Sequence, residues 1–245
     1  MSVVVTEQRG PVSVISINRP EKLNAINKAV AVELQRAFLE FDRSAQRVAV
    51  LTGAGGRAFS AGADVTDLPE LWRCVPTVGI ATEKPIIAAV AGWCIGGGLV
   101  MAMMCDLLVA AESARFSYPE GKIGITGGMI AGLAARIPHK IAMELMLTGE
   151  PIDARRAYEA GLANRVVPEG AEIAEAVALA EKIVALAPLA LAAMKRFVTG
   201  DILPRGPSEV AGIAARQLGA VRDSADAAEG IRAFREKRTP RYRGR

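Results

Sequence analysis

Three features of this sequence predict an α/β fold. Apolar, β-branched runs alternate with helical runs as far as about Gly127, and mostly helical segments follow. Aromatic residues make up only 4% of the chain while 51% of it is hydrophobic, so Ala, Val, Ile and Leu carry the core. That balance favours packed helices over a strand-rich sandwich. The length of 245 residues suits one domain, or one domain with an appendage.

The elements follow in order. "SVVVTEQRGPVSVISINRP" is β-branched and alternating on both sides of "QRGP" and reads as a hairpin. "NKAVAVELQRAFLEFDRS" places Val30, Leu34, Ala37, Phe38 and Phe41 at helical spacing. "RVAVLTGAGG" and "KPIIAAVAG" are buried strands, each running into a Gly-rich loop. "LLVAAESARFSYPE" supplies a third strand and then a short strand or loop. Helical segments are predicted over 128–136, 138–147, 153–161, 170–186 and 188–200, separated by Gly, Pro and turn residues.

Composition excludes several classes. The formal charge of +4, from 30 Lys+Arg against 26 Asp+Glu, is too small and too dispersed for a nucleic-acid footprint. The tail "FREKRTPRYRGR" is locally basic and reads first as a solvated tail, second as a contact for a polyanion. Three cysteines, Cys74, Cys94 and Cys105, without metal-type spacing, and a single histidine, His139, argue against a zinc site. His139, after Pro138, reads as a helix-start or subunit-contact residue. No signal pattern opens the chain and no uninterrupted apolar run reaches about 18 residues, so a cytoplasmic protein without a membrane span is expected.

Three motifs could carry chemistry. "GAGGRAF" after a strand loosely fits a dinucleotide fingerprint at Gly53, Gly55 and Ala58, but breakers follow it instead of a helix. Two further turns, "FSAGAD" and "WCIGGG", each follow a buried strand. Their small residues let a ligand carbonyl reach backbone amides, and Gly97 would stand at a helix start, where unpaired amides favour negative charge. Two such amides make an oxyanion hole; two tight packing turns are the equally open alternative. In "ARFSYPEGKIG", Pro119 takes Tyr118 out of helical conformation and fixes Glu120 at a bend among apolar residues. A carboxylate so placed is a candidate acid or base, against the commoner exposed turn glutamate.

Taken together, "INRPEKLNAIN", "GAGGRAFSAGAD", "KPIIAAVAGWCIGGG", "MAMMCDLLVAAESARFSYPE", "LTGEPIDARRAYEAGLANRVVP" and "EGIRAFREKRTPRYRG" resemble the enoyl-CoA hydratase/isomerase, or crotonase, family from about Val3 to Gly244. The resemblance implies a spiral of ββα units over about 1–190 and a C-terminal helical trimerisation region over 191–245, assembled as a homotrimer or a dimer of trimers. It implies an acyl-CoA substrate, with coenzyme A present only as part of that thioester and no metal. The hole amides fall on Ala63 and Gly97, and the acid or base on Glu120. Lys22, Leu23 and Ala25 fall on the CoA side, and Ala61, Asp64 and Val65 on the pantetheine and thioester path. Gly96 and Pro119 flank the catalytic positions, and Trp93 would shape the acyl pocket or simply pack in the core. Phe234 and Lys237 would help cover the nucleotide end.

The sequence departs from the family pattern in three places. Val100 stands where hydratases of the family carry a first glutamate, so hydration by the usual pair of carboxylates is in doubt and double-bond isomerisation by Glu120 alone is slightly favoured. A binder of acyl-CoA that has lost its chemistry is the alternative. Only 19 residues separate Asp64 from Lys84, and Asp67 and Glu70 within them are possible replacement acids or plain surface charges. "GITGGMIAGLAARIP" replaces a Pro-Gly-rich stretch, which leaves Thr126 and Met129 to flank the acyl group.

Overall fold

The computed structural model describes residues 2–244. Strands β1 (Val4–Arg9) and β2 (Val12–Ile17) form the expected antiparallel hairpin. Helix α1 (Lys28–Arg43) starts at Asn27, whose side chain accepts a hydrogen bond from the Val30 amide, one of the donors a helix start leaves unpaired. It buries Val30, Ala31, Leu34, Phe38 and Phe41 along one stripe, with Ala37 packed beside them.

The chain then repeats one theme, a strand of a large sheet followed by a three-residue strand of a second sheet. β3 (Val48–Gly53) leads to β4 (Ala58–Ser60). β5 (Ile86–Val90) leads to β6 (Trp93–Ile95) and helix α2 (Gly97–Met103). β7 (Leu107–Ala111) leads to β8 (Arg115–Ser117) and the short helix α3 (Glu120–Ile123). The large sheet runs β1-β2-β3-β5-β7-β10 and the small one β4-β6-β8-β9, where β9 is Ile152–Asp153 and β10 is Arg165–Val167. From β2 to β10 every neighbouring pair in the large sheet is parallel. Each turn thus adds one strand to each sheet, which winds the ββα units into a spiral.

The remaining segments are helical, as expected, with local differences. Residues Met129–Ala135 form a 3-10 helix, a tighter winding than the α-helix with hydrogen bonds between residues three apart. α4 is His139–Thr148, with His139 exposed at its first position, and α5 is Ala154–Glu159. α6 (Glu172–Val184) precedes α7 (Pro188–Phe197), which ends in a π turn over Val198–Ile202. α8 (Pro207–Arg222) and α9 (Ala225–Arg235) complete the chain.

Parallel strands covered on both faces need apolar residues at consecutive positions, and the large sheet has them. Ile15, Ile17, Ala49, Leu51, Ile86, Ala88 and Val90 face the main core under α1 and α2. Val12, Val14, Val48, Val50, Ile87 and Ala89 face the other way, onto Ala176 and Ala180 of α6. No single helix among the described residues is long and apolar enough to cross a membrane.

The basic tail is exposed and tied to α9. Glu229 accepts from Arg232, Arg238 and the Arg241 amide, and Asp226 accepts from the Arg243 and Gly244 amides. These bonds fold the tail back onto α9, and the arginines hold the Glu229 carboxyl far below its usual range. The tail residues are nevertheless exposed, as the solvated-tail reading expects, and of their side chains Arg238 is paired with Glu229 and Glu236.

The loop after β2 is fixed by one side chain. Leu23 and Asn24 both adopt left-handed backbone, at φ 49° and 56°, a conformation that needs outside support in residues with a Cβ. The fully buried Asn24 amide donates to Ala54 O (2.9 Å) and Ala58 O (2.8 Å), and its oxygen accepts from the Arg19 amide (3.0 Å). Asn24→Ala removes three hydrogen bonds to backbone groups, one of them fully buried, and is expected to lower stability by about 3 kcal/mol. Urea unfolding at constant m-value checks this.

Candidate active site

Two turns converge at the foot of α2. Gly96, which precedes the first helical residue, has φ 53° and ψ −115°, a backbone combination natural only to glycine. Gly97 is the first residue of the helix, so its amide has no intrahelical acceptor. Gly62, in the turn after β4, passes so close that a Cβ on it would lie 3.3 Å from the Gly97 nitrogen and 2.9 Å from Ile95 O. Ala63 follows in an extended bridge with Ile26. The Ile26 amide donates to Gly62 O and the Asp64 amide donates to Ile26 O, both at 2.8 Å. Alternate amides of an extended segment point to opposite sides, so the Ala63 amide is turned away from Ile26.

Glu120 completes the cluster. It opens α3 directly after Pro119, and its carboxyl rests on Gly96, with Cδ 3.2 Å from where a Cβ would sit. Its Oε2 is buried and has no hydrogen-bond partner among the described residues. Burial pushes its pKa up to about 7, against a smaller lowering from a backbone hydrogen bond. Neutral and ionised forms are therefore both populated near neutral pH, as a group that both takes and gives a proton requires. Val100 lies one helical turn beyond Gly96 and is 2% exposed, so the helix face below the acid is apolar.

The other candidate residues divide. The Ala61 amide donates to Leu23 O at 2.9 Å, and Arg19 bridges Ala25 O (2.7 Å) and Asp64 (3.1 Å), stitching the "RPEKLNA" loop to the "SAGAD" turn. Asp64 is held below the usual carboxylate range by Thr66 first and Arg19 second. Lys22 and Val65 are exposed beside this junction. Thr126 bonds the Tyr118 hydroxyl at 2.8 Å, and Met129 is half-buried in the 3-10 helix. Trp93 is 41% exposed, which corrects its core-packing reading: it lies at the first position of β6, where its side chain leaves the sheet. Phe234 is 86% exposed, and Lys237 follows on the tail side of α9, which packs on α8.

The possible replacement acids are occupied. Asp67 pairs with Lys28 at 3.2 Å, and Glu70 pairs with Arg73 at 2.8 Å, which lowers its pKa. Cys74, Cys94 and Cys105 are free thiols whose pKa burial raises, in Cys74 to about 12. No group of three metal-binding side chains occurs among the described residues. A groove of about 840 Å³ lies elsewhere, and its Arg115, Arg155 and Arg165 share its lining with Glu112, Asp153 and Glu175. Sequence reasoning missed Arg19, Asn24, Ile26 and Leu71 around the site; only "RPEKLNAIN" carried a signal for the first three.

The fold and this cluster define an α/β protein with two backbone amides and one raised-pKa carboxyl at the start of a helix. The chain belongs to the enoyl-CoA hydratase/isomerase family, whose model matches residues 7–245. It is 36% identical over 254 residues to carnitinyl-CoA dehydratase of Citrobacter koseri, covering 97% of each chain. It is 35% identical over 257 residues to (E)-benzylidenesuccinyl-CoA hydratase of Thauera aromatica, covering 98% of this chain and 99% of that one. Among solved structures it resembles the carnitinyl-CoA hydratase of Mycobacterium avium (TM-score 0.77, 38% identity) and the enoyl-CoA hydratase of Mycobacterium tuberculosis (TM-score 0.77, 40% identity), each with full coverage of both chains.

The raised pKa of Glu120 has a sign for stability. A carboxyl whose pKa is higher folded than unfolded favours the fold below its unfolded value of about 4.5 and loses that contribution as pH rises through about 7. Glu120→Gln should therefore gain melting temperature relative to the parent between pH 4.5 and 7 and hold the gain at pH 8. Melting curves across that range decide it.

Proposed function

We propose that this chain binds an acyl-CoA thioester, takes its carbonyl oxygen between the Ala63 and Gly97 amides, and moves a proton at an adjoining carbon with Glu120. The observation that carries the reading is the Glu120 carboxyl, lying on Gly96 with a buried oxygen that has no partner. Loss of a proton next to the thioester sends an electron pair onto the carbonyl oxygen, and the two amides stabilise the enolate. One such donor is typically worth about 3 kcal/mol of barrier.

Double-bond migration fits the single carboxyl best. Glu120 takes the proton from the carbon beside the carbonyl of a β,γ-unsaturated ester and returns it at the γ carbon, and no water is consumed. Hydration asks for a second group to hold and activate water, and Val100 cannot do so. The hydratase and dehydratase names among the relatives favour a second reading, in which Glu120 alone handles both water and proton. A binder without chemistry finds no support among these relatives, all named as enzymes. Coenzyme A enters as part of the substrate.

The test is deuterium uptake from D2O into acyl- and enoyl-CoA esters, read by mass spectrometry. Glu120→Gln should lower the exchange rate by about 10²- to 10⁴-fold, the range for a lost acid–base group. Exchange that survives the substitution overturns the role of Glu120, and an adduct of one water shifts the reading to hydration. A homotrimer or pair of trimers is proposed alongside, consistent with apolar Leu189 and Phe234 being 84% and 86% exposed in one chain. Light scattering on the eluting protein should give three or six times the 25.8 kDa chain mass.

A further inference from the structure

The two central glycines are flanked by different chemistry. Glu120 lies against Gly96, whereas a Cβ on Gly97 would meet Leu71 at 2.9 Å (Cδ1) and 3.2 Å (Cδ2), and Ile26 Cδ1 at 3.5 Å. A branched apolar side chain therefore stands over the backbone of Gly97. Leu71 opens a 3-10 turn over Leu71–Cys74 and is half-buried. The residues before it carry the exposed apolar side chains Val65 (64%) and Leu68 (53%), so Leu71 is the point where this segment turns inward.

Its position is fixed from behind. The Arg73 guanidinium lies over the Trp72 ring at 4.7 Å and donates to Gln35 Oε1 of α1 at 3.0 Å. On the other side α8 closes in: Arg216 donates to Val78 O at 2.6 Å. A Cβ on Gly212 of α8 would come within 2.9 Å of Trp72 Cβ and 2.6 Å of Val78 Cγ1. Contact that tight leaves the turn little room to retreat from Gly97.

We infer that Leu71 sets the size of the acyl group this site accepts, with α8 holding it in place through Gly212, so that the substrate is a CoA thioester of a short, unbranched acid. The inference rests on the thioester reading of the preceding section. An acyl group whose oxygen lies at the Gly97 amide has its first carbons in van der Waals reach of Leu71, because that side chain already touches Gly97. Bulk added there meets Leu71, whose turn is wedged against α1 and α8, and is excluded by overpacking.

The experiment measures Kd by calorimetry for butyryl-, hexanoyl- and octanoyl-CoA on the full chain, with deuterium exchange into butyryl-CoA read in the same preparations. The parent should prefer butyryl-CoA. Leu71→Ala opens space for about three carbons and should move the octanoyl-to-butyryl affinity ratio by about tenfold or more toward octanoyl. Leu71→Met conserves volume and should keep the parent ratio. Gly212→Ala, which presses the turn from the α8 side toward Gly97 without touching the site, should shift the ratio in the opposite direction, toward butyryl. If Leu71→Ala does not fold, Leu71→Val carries the same test with a smaller shift. A folded Leu71→Ala or Leu71→Val with the parent ratio overturns the inference. Exchange with an unchanged ratio removes Leu71 alone, whereas a shifted ratio without exchange keeps Leu71 and removes the enolate reading. Failure of the parent to bind any of the three esters overturns both.

Discussion

Backbone packed directly on backbone is the constraint from which the site follows. Gly62 passes within contact of the Gly97 nitrogen, and neither position tolerates a side chain without displacing a neighbour. That approach brings the turn after β4 beside the turn after β6, continuing the parallel pairing of those two strands. A larger residue at Gly62 would push the two turns apart. The three-residue strands of the small sheet make sense in this light: they are long enough to fix the turns and too short to consume their amides.

Two devices hold the approach in register. On one side Asn24 substitutes for a missing strand, satisfying backbone groups from three segments with one amide, while Arg19 and Asp64 tie the same loops by charge. On the other side the carboxyl of Glu120 sits on Gly96 without a counter-ion, so its charge is opposed by burial alone. The contrast between Asp64 and Glu120 is instructive. Asp64 is paired and kept ionised, a structural acid; Glu120 is unpaired and left near the midpoint of its titration. Partners rather than residue type set the direction in which each carboxyl's pKa moves.

Much of the large sheet was legible because its strands are buried on both faces and read as unbroken β-branched runs. Helix α1 was equally clear, its apolar stripe being long enough to show a period. The small sheet was not legible: β4 and β6 are three residues each, and three residues carry no periodicity. The 3-10 form of Met129–Ala135 was hidden for a related reason, since helical spacing does not distinguish windings over two turns. Within the site, Glu120 and the glycine turns announced themselves through Pro119 and through the glycines themselves. Leu71 did not, because nothing in "PELWRC" distinguishes a leucine that covers a glycine from one that fills a core. Trp93 was misjudged as possible core filling because an aromatic between apolar residues reads as buried, whereas strand alternation turns it outward.

The order of the large sheet has a consequence for the growing chain. β7 finds its second neighbour only in β10, which lies beyond α4, β9 and α5 in the sequence. Until Arg165–Val167 has left the ribosome, the Leu107–Ala111 backbone presents an unpaired parallel edge flanked by apolar side chains. Such an edge is a template for wrong partners. The helices that intervene are therefore also a delay during synthesis, and the tenth strand is the stopper that ends it.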